Sequence, residues 1–379
     1  MAKDILPCVI KIGGSLLKNG KSYLEAAEEA KRLFVERGVI PIIVVSAAKG
    51  VTDALLQVSK GHIEVINEVY EKYENVAEEL KSSKVYERML REIKVLEDIV
   101  KVASKNCDTK LQDLILSYGE RISKMLMVEA LEIVGVKAIE LDARELIVTN
   151  DVHGDASIDY TATRNRLEKV MHLLKATSII PVIEGFVGAT EHGEVTTLGR
   201  GGSDYTATAI AALLGIDKVY LVTEVDGIMT ADPTIIPTAR IVDVMSYREA
   251  VEAAMHGAKR INPKSFEPLN DIYHCIVYVG SWNSFGTKIS HTIPDERKGP
   301  KIVLHRHHGE KPYIAIIGEG VNYLDFIKKV VDILYENNVD IKGVQTYFRK
   351  PSLIVHVEGG CEMNVLKLLH QKLFEEEVD

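Results

Sequence analysis

Two glycine-rich stretches carry the groups best able to handle an anion. In the first, Val-Ile-Lys-Ile-Gly-Gly-Ser, Lys11 is followed by Gly13 and Gly14 at the end of an apolar strand expected over Leu6 to Ile12. A helix is expected next, around Leu24, Ala27 and Phe34. Unhindered backbone N–H groups at such a junction, together with the helix dipole, can cradle phosphate. The pattern is neither G-x-x-x-x-G-K-[ST] nor G-x-G-x-x-G, and a glycine pair alone serves a tight turn equally well.

The second stretch, Thr196-Thr-Leu-Gly-Arg-Gly-Gly-Ser-Asp-Tyr, runs from a loop into a helix expected from Tyr205, with Ser203 placed to cap it. Gly199, Gly201 and Gly202 let the backbone approach an anion closely. Arg200 offers a two-pronged donor for a carboxylate, and Asp204 adds negative charge at the helix start. Two further polar loops follow apolar strands: Ser46-Ala-Ala-Lys-Gly-Val-Thr-Asp, and Thr223-Glu-Val-Asp-Gly-Ile-Met-Thr-Ala-Asp-Pro. Asp53 in the former reads as a helix-capping residue more readily than as a catalytic one.

The elements that must position these groups follow an α/β rhythm. Apolar runs at Ile40 to Val45, Val136 to Leu141, Ile179 to Ile183, Val219 to Val222 and Cys275 to Val279 alternate with helical stretches. Such continuous apolar strands belong to a parallel sheet covered on both faces. Ligands of open α/β sheets bind outside the carboxyl ends of the strands, so the polar loops are expected to converge on one crevice.

One region breaks the rhythm. Ile63, Ile66, Tyr70, Tyr73, Ala77 and Leu80, then Met89, Ile93, Leu96 and Val100, step at three and four, which predicts two amphipathic helices with no strand between them. A third helix is expected from Thr109, with Thr109 and Gln112 as a capping box, ending before Gly135.

After Gly280 a linker is expected over 291–312, marked by Pro294, Gly299 and Pro300. The remaining segment reads as strand (Tyr313 to Ile317), helix (Asn322 to Asn337), strand (Val339 to Phe348), strand (Leu353 to Val357) and helix (Met363 to Phe374). This is a ferredoxin-like βαββα unit without its closing strand. An unpaired sheet edge is a liability that self-association can cover, so a homodimer or higher homo-oligomer is expected.

Composition narrows the partners. The 379 residues carry 46 basic and 55 acidic side chains, a net charge of -9, which disfavours nucleic acid and anionic membrane as primary partners. Cys8, Cys107, Cys275 and Cys361 are too far apart for a C-x-x-C pair. They read as reduced thiols, and with no secretory leader and no apolar run long enough to span a bilayer the chain is expected to be cytoplasmic. His305-Arg-His-His308 lies in the expected linker without a nearby Cys, Asp or Glu cluster beyond Glu310, so no metal site is expected.

Taken together, Lys11-Ile-Gly-Gly-Ser, Val45-Ser-Ala-Ala-Lys-Gly-Val-Thr-Asp, Ser117-Tyr-Gly-Glu-Arg, Gly185-Phe-Val-Gly, Thr197-Leu-Gly-Arg-Gly-Gly-Ser-Asp, Thr223-Glu-Val-Asp-Gly-Ile and Gly257-Ala-Lys-Arg-Ile-Asn-Pro resemble, in order, the motif set of aspartate kinases, within the amino-acid kinase superfamily. The resemblance covers about residues 5–290, and the segment from Tyr313 resembles an ACT regulatory domain more loosely. It implies an amino-acid kinase catalytic domain over 1–290, the linker, and a single, short ACT-like domain over 313–379. The implied fold is a mostly parallel α/β sheet covered by helices, with a helical insertion, plus a small α+β unit.

The implied reaction is ATP plus L-aspartate giving 4-phospho-L-aspartate, with Mg2+, at the head of lysine, threonine and methionine biosynthesis. A side-chain carboxylate with a reference pKa of about 3.9 is already ionised at pH 7, so the site needs no general base. It must instead bring two anions together and neutralise charge on the transferring group.

By the same resemblance Lys11 is the catalytic cation, held by Asp204, and Gly13, Gly14 and Ser15 donate to phosphate oxygens. Arg200 clamps a carboxylate of aspartate, Glu120 takes its α-ammonium, and Ser46, Thr52, Phe186 and Ser203 complete the substrate pocket. Thr223, Glu224, Asp226, Met229 and Lys259 fall where the family contacts nucleotide. The chain departs from the family in having Glu224 for Asp, Met229 for Tyr and Thr234 for Arg. The ACT-like segment implies an amino-acid effector such as lysine or threonine. Members of the family usually carry two such units, and this chain has length for one.

Overall fold

The computed structural model describes residues 7–376 apart from 104–106, 175, 176, 178, 260, 271, 273 and 310. Its contacts divide the chain into two compact units, 1–224 and 225–379.

In the first unit, β1 (Cys8–Ile12) leads through a 3-10 turn (Gly14–Leu16) to α1 (Gly20–Leu33), β2 (Pro41–Val45) and α2 (Val51–Ser59). The insertion forms α3 (Ile66–Leu80) and α4 (Ser83–Ala103), followed by α5 (Thr109–Ile133). Then come β3 (Ala138–Leu141), α6 (Ala143–Leu146), α7 (Tyr160–Leu174), β4 (Ile180–Glu184), β5 (Val187–Ala189), β6 (Val195–Thr197), α8 (Gly202–Leu214) and β7 (Lys218–Val222). Five strands pair in the order β3-β4-β2-β1-β7, all parallel. β2 and β4 are buried at every position, which is why both read as unbroken apolar runs.

Because the chain leaves β1 for β2 on one side and later returns to β7 on the other, the loops after β1, β2, β4 and β7 gather at the carboxyl edge around a switch of strand order. The two insertion helices bury Tyr73, Ala77, Leu80, Met89, Ile93, Leu96 and Val100 as their spacing predicts, but Val69 and Val76 are buried in α3 where Tyr70 is only half-buried, and Ile63 lies exposed ahead of that helix.

Helix starts differ in detail from expectation. The cap of α5 is Asp108, whose side chain accepts from Leu111 N at 2.8 Å, and Thr109 is the first helical residue. Carboxylates and short hydroxyls compete for the same capping role, and here the carboxylate comes one position earlier. At α8 the cap is Gly201, with φ +70°, and Ser203 lies inside the first turn. Asp53 likewise sits in the first turn of α2 behind the capping Gly50.

The second unit begins with the loop 225–243 and continues through β8 (Val244–Ser246), α9 (Tyr247–Met255), β9 (Ile276–Gly280) and β10 (Thr287–Ser290). β9 and β10 pair antiparallel, and β10 and β8 parallel. Next come β11 (Ile302–His308), β12 (Lys311–Ile317), α10 (Leu324–Glu336), β13 (Ile341–Thr346), β14 (Ser352–Val357) and α11 (Glu362–His370). The last four strands form an antiparallel sheet in the order β11-β12-β14-β13.

Residues 302–308, read from sequence as linker, thus form a strand paired with β12 along its whole length. The fourth strand of the ferredoxin-like sheet comes from ahead of the unit, not from its C-terminal end. Charged and imidazole side chains at 305–308 hid the strand, because alternation is read from apolar residues and only Ile302, Val303 and Leu304 supply them. Under this sheet Val303, Ile314, Ile316, Leu353, Val355, Val330, Leu334, Leu366 and Leu369 form a continuous core.

Candidate active site

In the first unit, Lys11 lies on β1, one residue short of its end, and its Nζ meets Asp204 Oδ1 at 2.7 Å, with both side chains largely buried. Asp204 sits in the first turn of α8, where the helix dipole favours a carboxylate. Residues 193 positions apart (204 − 11) are thereby joined.

Beyond Lys11 the chain turns sharply. Gly13 N donates to Val222 O at 3.3 Å, and Gly14 and Ser15 open the 3-10 turn, whose first N–H groups have no carbonyl of that turn to bond. A Cβ on Gly14 would stand 2.4 Å from the Ala47 carbonyl oxygen, so this glycine is required by the approach of the β2 loop. On Gly13 a Cβ would lie 3.3 Å from Lys11 Nζ.

The β2 loop is fixed from behind. Ser46 N donates to Ile12 O at 3.2 Å, and Ser46 O accepts from Ser123 Oγ at 2.7 Å. Ala48 N donates to Tyr73 Oη, which itself donates to Gly119 O at 2.5 Å. Thr52, half-buried, lies in the first turn of α2.

Glu120 on α5 is the notable carboxylate. It is only 3% exposed, and its Oε1 accepts from Ala47 N at 3.1 Å while Oε2 is buried with no hydrogen-bond partner. Burial, with Glu184 as a lesser contributor, raises its pKa from 4.5 to about 8. A buried acceptor left open in this way favours a cationic donor arriving from outside.

The loop after β4 brings Phe186 into the left-handed region, φ +68°, a strained conformation for an aromatic residue. Its N–H donates to Thr206 Oγ1 at 3.1 Å and its carbonyl accepts from Leu198 N at 2.9 Å, which hold the strain. A Cβ on Gly185 would stand 2.6 Å from Ser203 Cβ, and one on Gly202 would stand 2.9 Å from the Phe186 ring. Phe186, Ser203 and the glycine-rich loop therefore form one packed turn. Arg200 is exposed at its tip, between Gly199 (φ +75°) and Gly201. Glu224, exposed at the edge of the unit, lies 3.9 Å from Lys18 Nζ. Thr223, directly after β7, is half-buried.

In the second unit, Asp226 Oδ1 accepts from Ser281 Oγ at 2.5 Å and its carbonyl accepts from Gly286 N. Met229 bridges to Ile241, and Asp232 binds Lys259 Nζ at 2.7 Å together with Thr234 N and Oγ1. The Lys259 ammonium, with Thr234, holds the Asp232 carboxyl down at about 2. Met229, Asp232, Thr234, Lys259, His305 and Arg306 line a cleft of about 410 Å³.

Asp232 and Arg306 were not singled out from sequence. Asp232 stood in a noted Asp-Pro pair, so its position was visible but not its partner. Arg306 Nε donates to His256 O at 2.7 Å, and its guanidinium fills the space over Gly257, which opens the motif containing Lys259. Nothing in the sequence linked the two segments.

Comparison with known proteins follows the same lines. Residues 7–278 match the Amino acid kinase family. The chain is 31% identical over 384 aligned residues to lysine-sensitive aspartokinase 3 of Escherichia coli, covering 97% of this chain and 82% of that one. It belongs to the aspartokinases of the amino acid kinase family. It is also 34% identical to the chloroplastic aspartokinase 1 of Arabidopsis thaliana, covering 99% of this chain and 66% of that one.

Among solved structures it resembles E. coli aspartokinase III in complex with aspartate and ADP in the R-state, with a TM-score of 0.73, 25% identity, and 97% and 83% of the two chains covered. The Clostridium acetobutylicum aspartate kinase shares the fold, with a TM-score of 0.77 at 17% identity. Among the described residues no helix is long and apolar enough to cross a membrane.

Proposed function

We propose that this chain transfers the γ-phosphoryl group of ATP to the side-chain carboxylate of L-aspartate, giving 4-phospho-L-aspartate and ADP, the entry step to lysine, threonine and methionine biosynthesis. The observation that carries the substrate reading is Glu120: a buried carboxylate with one oxygen bonded to Ala47 N and the other open. An α-ammonium group satisfies that oxygen, and Arg200 offers the fork that a carboxylate takes. Ser46, Thr52, Phe186 and Ser203 shape the remainder of the pocket.

In the transfer, a carboxylate oxygen of aspartate forms a bond to the γ-phosphorus as the bond to the β,γ-bridging oxygen breaks, and ADP leaves with the electron pair. Lys11, aligned by Asp204, faces the charge that spreads over the phosphoryl oxygens, and the N–H groups of Gly14 and Ser15 add short-range dipoles. The Gly13 N–H, bonded to Val222 O, contributes by fixing the turn. By the family resemblance Thr223 and Glu224 in the first unit are nucleotide contacts, and so, each in its own unit, are Asp226, Met229 and Lys259 in the second.

Mg2+ suits this chemistry as an ion carried on phosphate oxygens with one or two carboxylates, and it neutralises phosphate charge when bound. Among the described residues the carboxylates at this edge form no cage of three or more ligands.

The test is hydroxamate formation with ATP, Mg2+ and aspartate. Turnover of glutamate or UMP with none of aspartate transfers the reading to a sibling kinase. Running the assay with added lysine and with added threonine identifies the effector of the ACT-like unit.

The homo-oligomer reading rests on the sheet edge. β13 is a terminal strand, and beside it Phe348 (92% exposed), Leu324 (83%) and Tyr323 (67%) form an apolar patch, joined by Asn322 Nδ2 to the carbonyls of Tyr347 and Phe348. Pairing two such units covers edge and patch together, and the mass of a single chain by light scattering at micromolar concentration overturns it.

A further inference from the structure

We propose that His305, His307 and Glu362, none of them among the residues assigned to phosphoryl transfer, form a binding site for a divalent cation of the zinc class at the wall of the cleft that Met229, Asp232 and Lys259 line. One ligand atom from each of the three lies within 4.8 Å of the others. The spacing is a product of fold. His305 and His307 are two apart on β11 and so share the strand face that carries Val303 into the core under the sheet. Glu362 opens α11, which packs Leu366 and Leu369 into that same core and so delivers the carboxylate to the imidazoles from 55 residues away (362 − 307). The two rings meet edge to face with centroids 4.9 Å apart.

A second observation points to a ligand. Nε2 of His305 is buried and has no hydrogen-bond partner, an open polar atom on one of the three candidate ligands. The carboxylate is already oriented, because Glu362 Oε2 accepts from Gly360 N at 2.6 Å. Such outer contacts fix ligand geometry in metal sites.

Two imidazoles and one carboxylate are the donor set that Zn2+ takes at about 2.0–2.2 Å, with water in the fourth position. Tetrahedral ligands at that radius stand about 3.3 Å apart, so closure needs movements of at most about 1.5 Å. The exposed His307 can make them by rotamer change while the Gly360 N–H keeps the Glu362 carboxylate in place. His307 also leaves one side open to water.

A bound ion would staple α11 to β11. The far end of that helix carries His370, fully buried, whose Nε2 meets Thr230 Oγ1 at 2.9 Å. Thr230 lies between Met229 and Asp232, so the staple would steady the segment that holds Lys259.

The test uses the untagged full chain, stripped with chelator and free of nucleotide, titrated with Zn2+ by calorimetry and with Co2+ by visible absorption. Expected are one high-affinity equivalent per chain, d–d bands of a low-coordinate site, and a rise in melting temperature with Zn2+. H307Q and E362Q, at accessible positions, should each weaken binding by about 10-fold or more and abolish the thermal shift. H305Q should do the same if its circular dichroism matches the parent. Dissociation constants of millimolar or weaker, or unchanged affinity in the H307Q/E362Q double variant, overturn the proposal. So does binding that survives in that variant and disappears on Cys361→Ser.

Discussion

Glu120→Gln separates an ammonium-binding carboxylate from a merely buried one. In the absence of substrate, burial holds Glu120 at a pKa of about 8. At pH 7 it is therefore about nine-tenths protonated, and at pH 8.5 about one quarter. An arriving α-ammonium supplies the cation that the buried oxygen lacks and drives the pKa down, so binding of aspartate expels a proton.

Calorimetric titration of aspartate in buffers of different ionisation enthalpy should register about 0.9 proton released per aspartate at pH 7, falling toward about 0.2 at pH 8.5. If the ionised form alone binds, affinity rises about 25-fold between pH 6.5 and 8.5. Glu120→Gln keeps the shape and the Ala47 N–H bond but removes the charge. It should raise the KM for aspartate about 10- to 100-fold, the size of a lost hydrogen bond to a charged group. Its pH profile should be flat and its proton release absent.

Stability has the opposite sign. A carboxyl whose folded pKa lies above its unfolded value contributes less as pH climbs, so the substrate-free protein loses stability between about pH 4.5 and 8, and aspartate restores it. Zero proton release at pH 7, or a glutamine variant with the parental pH profile, refutes the assignment of Glu120 to the ammonium.

Lys11→Ala should lower kcat by about 10²-fold or more with circular dichroism unchanged, and a smaller loss for Asp204→Asn than for Lys11→Ala is expected in single-turnover assays, since Asp204 acts by aligning the ammonium 2.7 Å away. Gly14→Ala places a methyl 2.4 Å from the Ala47 carbonyl, so it should lower both melting temperature and turnover, whereas Gly38→Ala, with open space but φ +75°, should touch stability alone. Phe186→Gly relieves the φ +68° strain, worth about 1 kcal/mol, and opens the turn over Ser203, so the KM for aspartate should rise without a matching fall in thermal stability. Asp232→Asn frees Lys259 and should change the KM for ATP while leaving that for aspartate in place.

Local pattern carried the parallel sheet, the amphipathic insertion helices and the glycine turns, since each depends on residues close in sequence. The strand at 302–308 escaped because its later side chains are imidazole and guanidinium, and partners on a sheet edge are not written in the strand itself. The caps at Asp108 and Gly201 were displaced by one and two positions, where neighbouring residues compete for the same role. Site residues became legible only through the ordered motif set. No spacing rule joins Lys11 to Asp204, Ala47 to Glu120 or Asp232 to Lys259, and the His305–His308 run reads against a metal site because the carboxylate beside it in the fold, Glu362, is remote in sequence. The carboxylate that holds Lys259 was in plain view in the loop after Thr223, yet an aspartate before a proline reads first as a turn residue.

The acidic balance of the chain bears on how such a site can work. Two of the three cations assigned to anion binding, Lys11 and Lys259, are already bonded to carboxylates, Asp204 and Asp232. Pairing holds the largely buried Lys11 ammonium at a fixed point and weakens its attraction for ground-state phosphate, whereas the exposed Lys259 is held less firmly. What remains is an oriented dipole, and an oriented dipole gains most where new negative charge appears close to its positive end, as it does when the γ-phosphoryl group is passing between two oxygens. Arg200, exposed between two glycines with positive φ, is the contrasting case: its whole charge faces outward for a carboxylate to find. On the proposed reading a net charge of -9 is therefore no obstacle to two anionic substrates, because positive charge is placed residue by residue, and the paired Lys11 is expected to act on the reaction more than on the encounter.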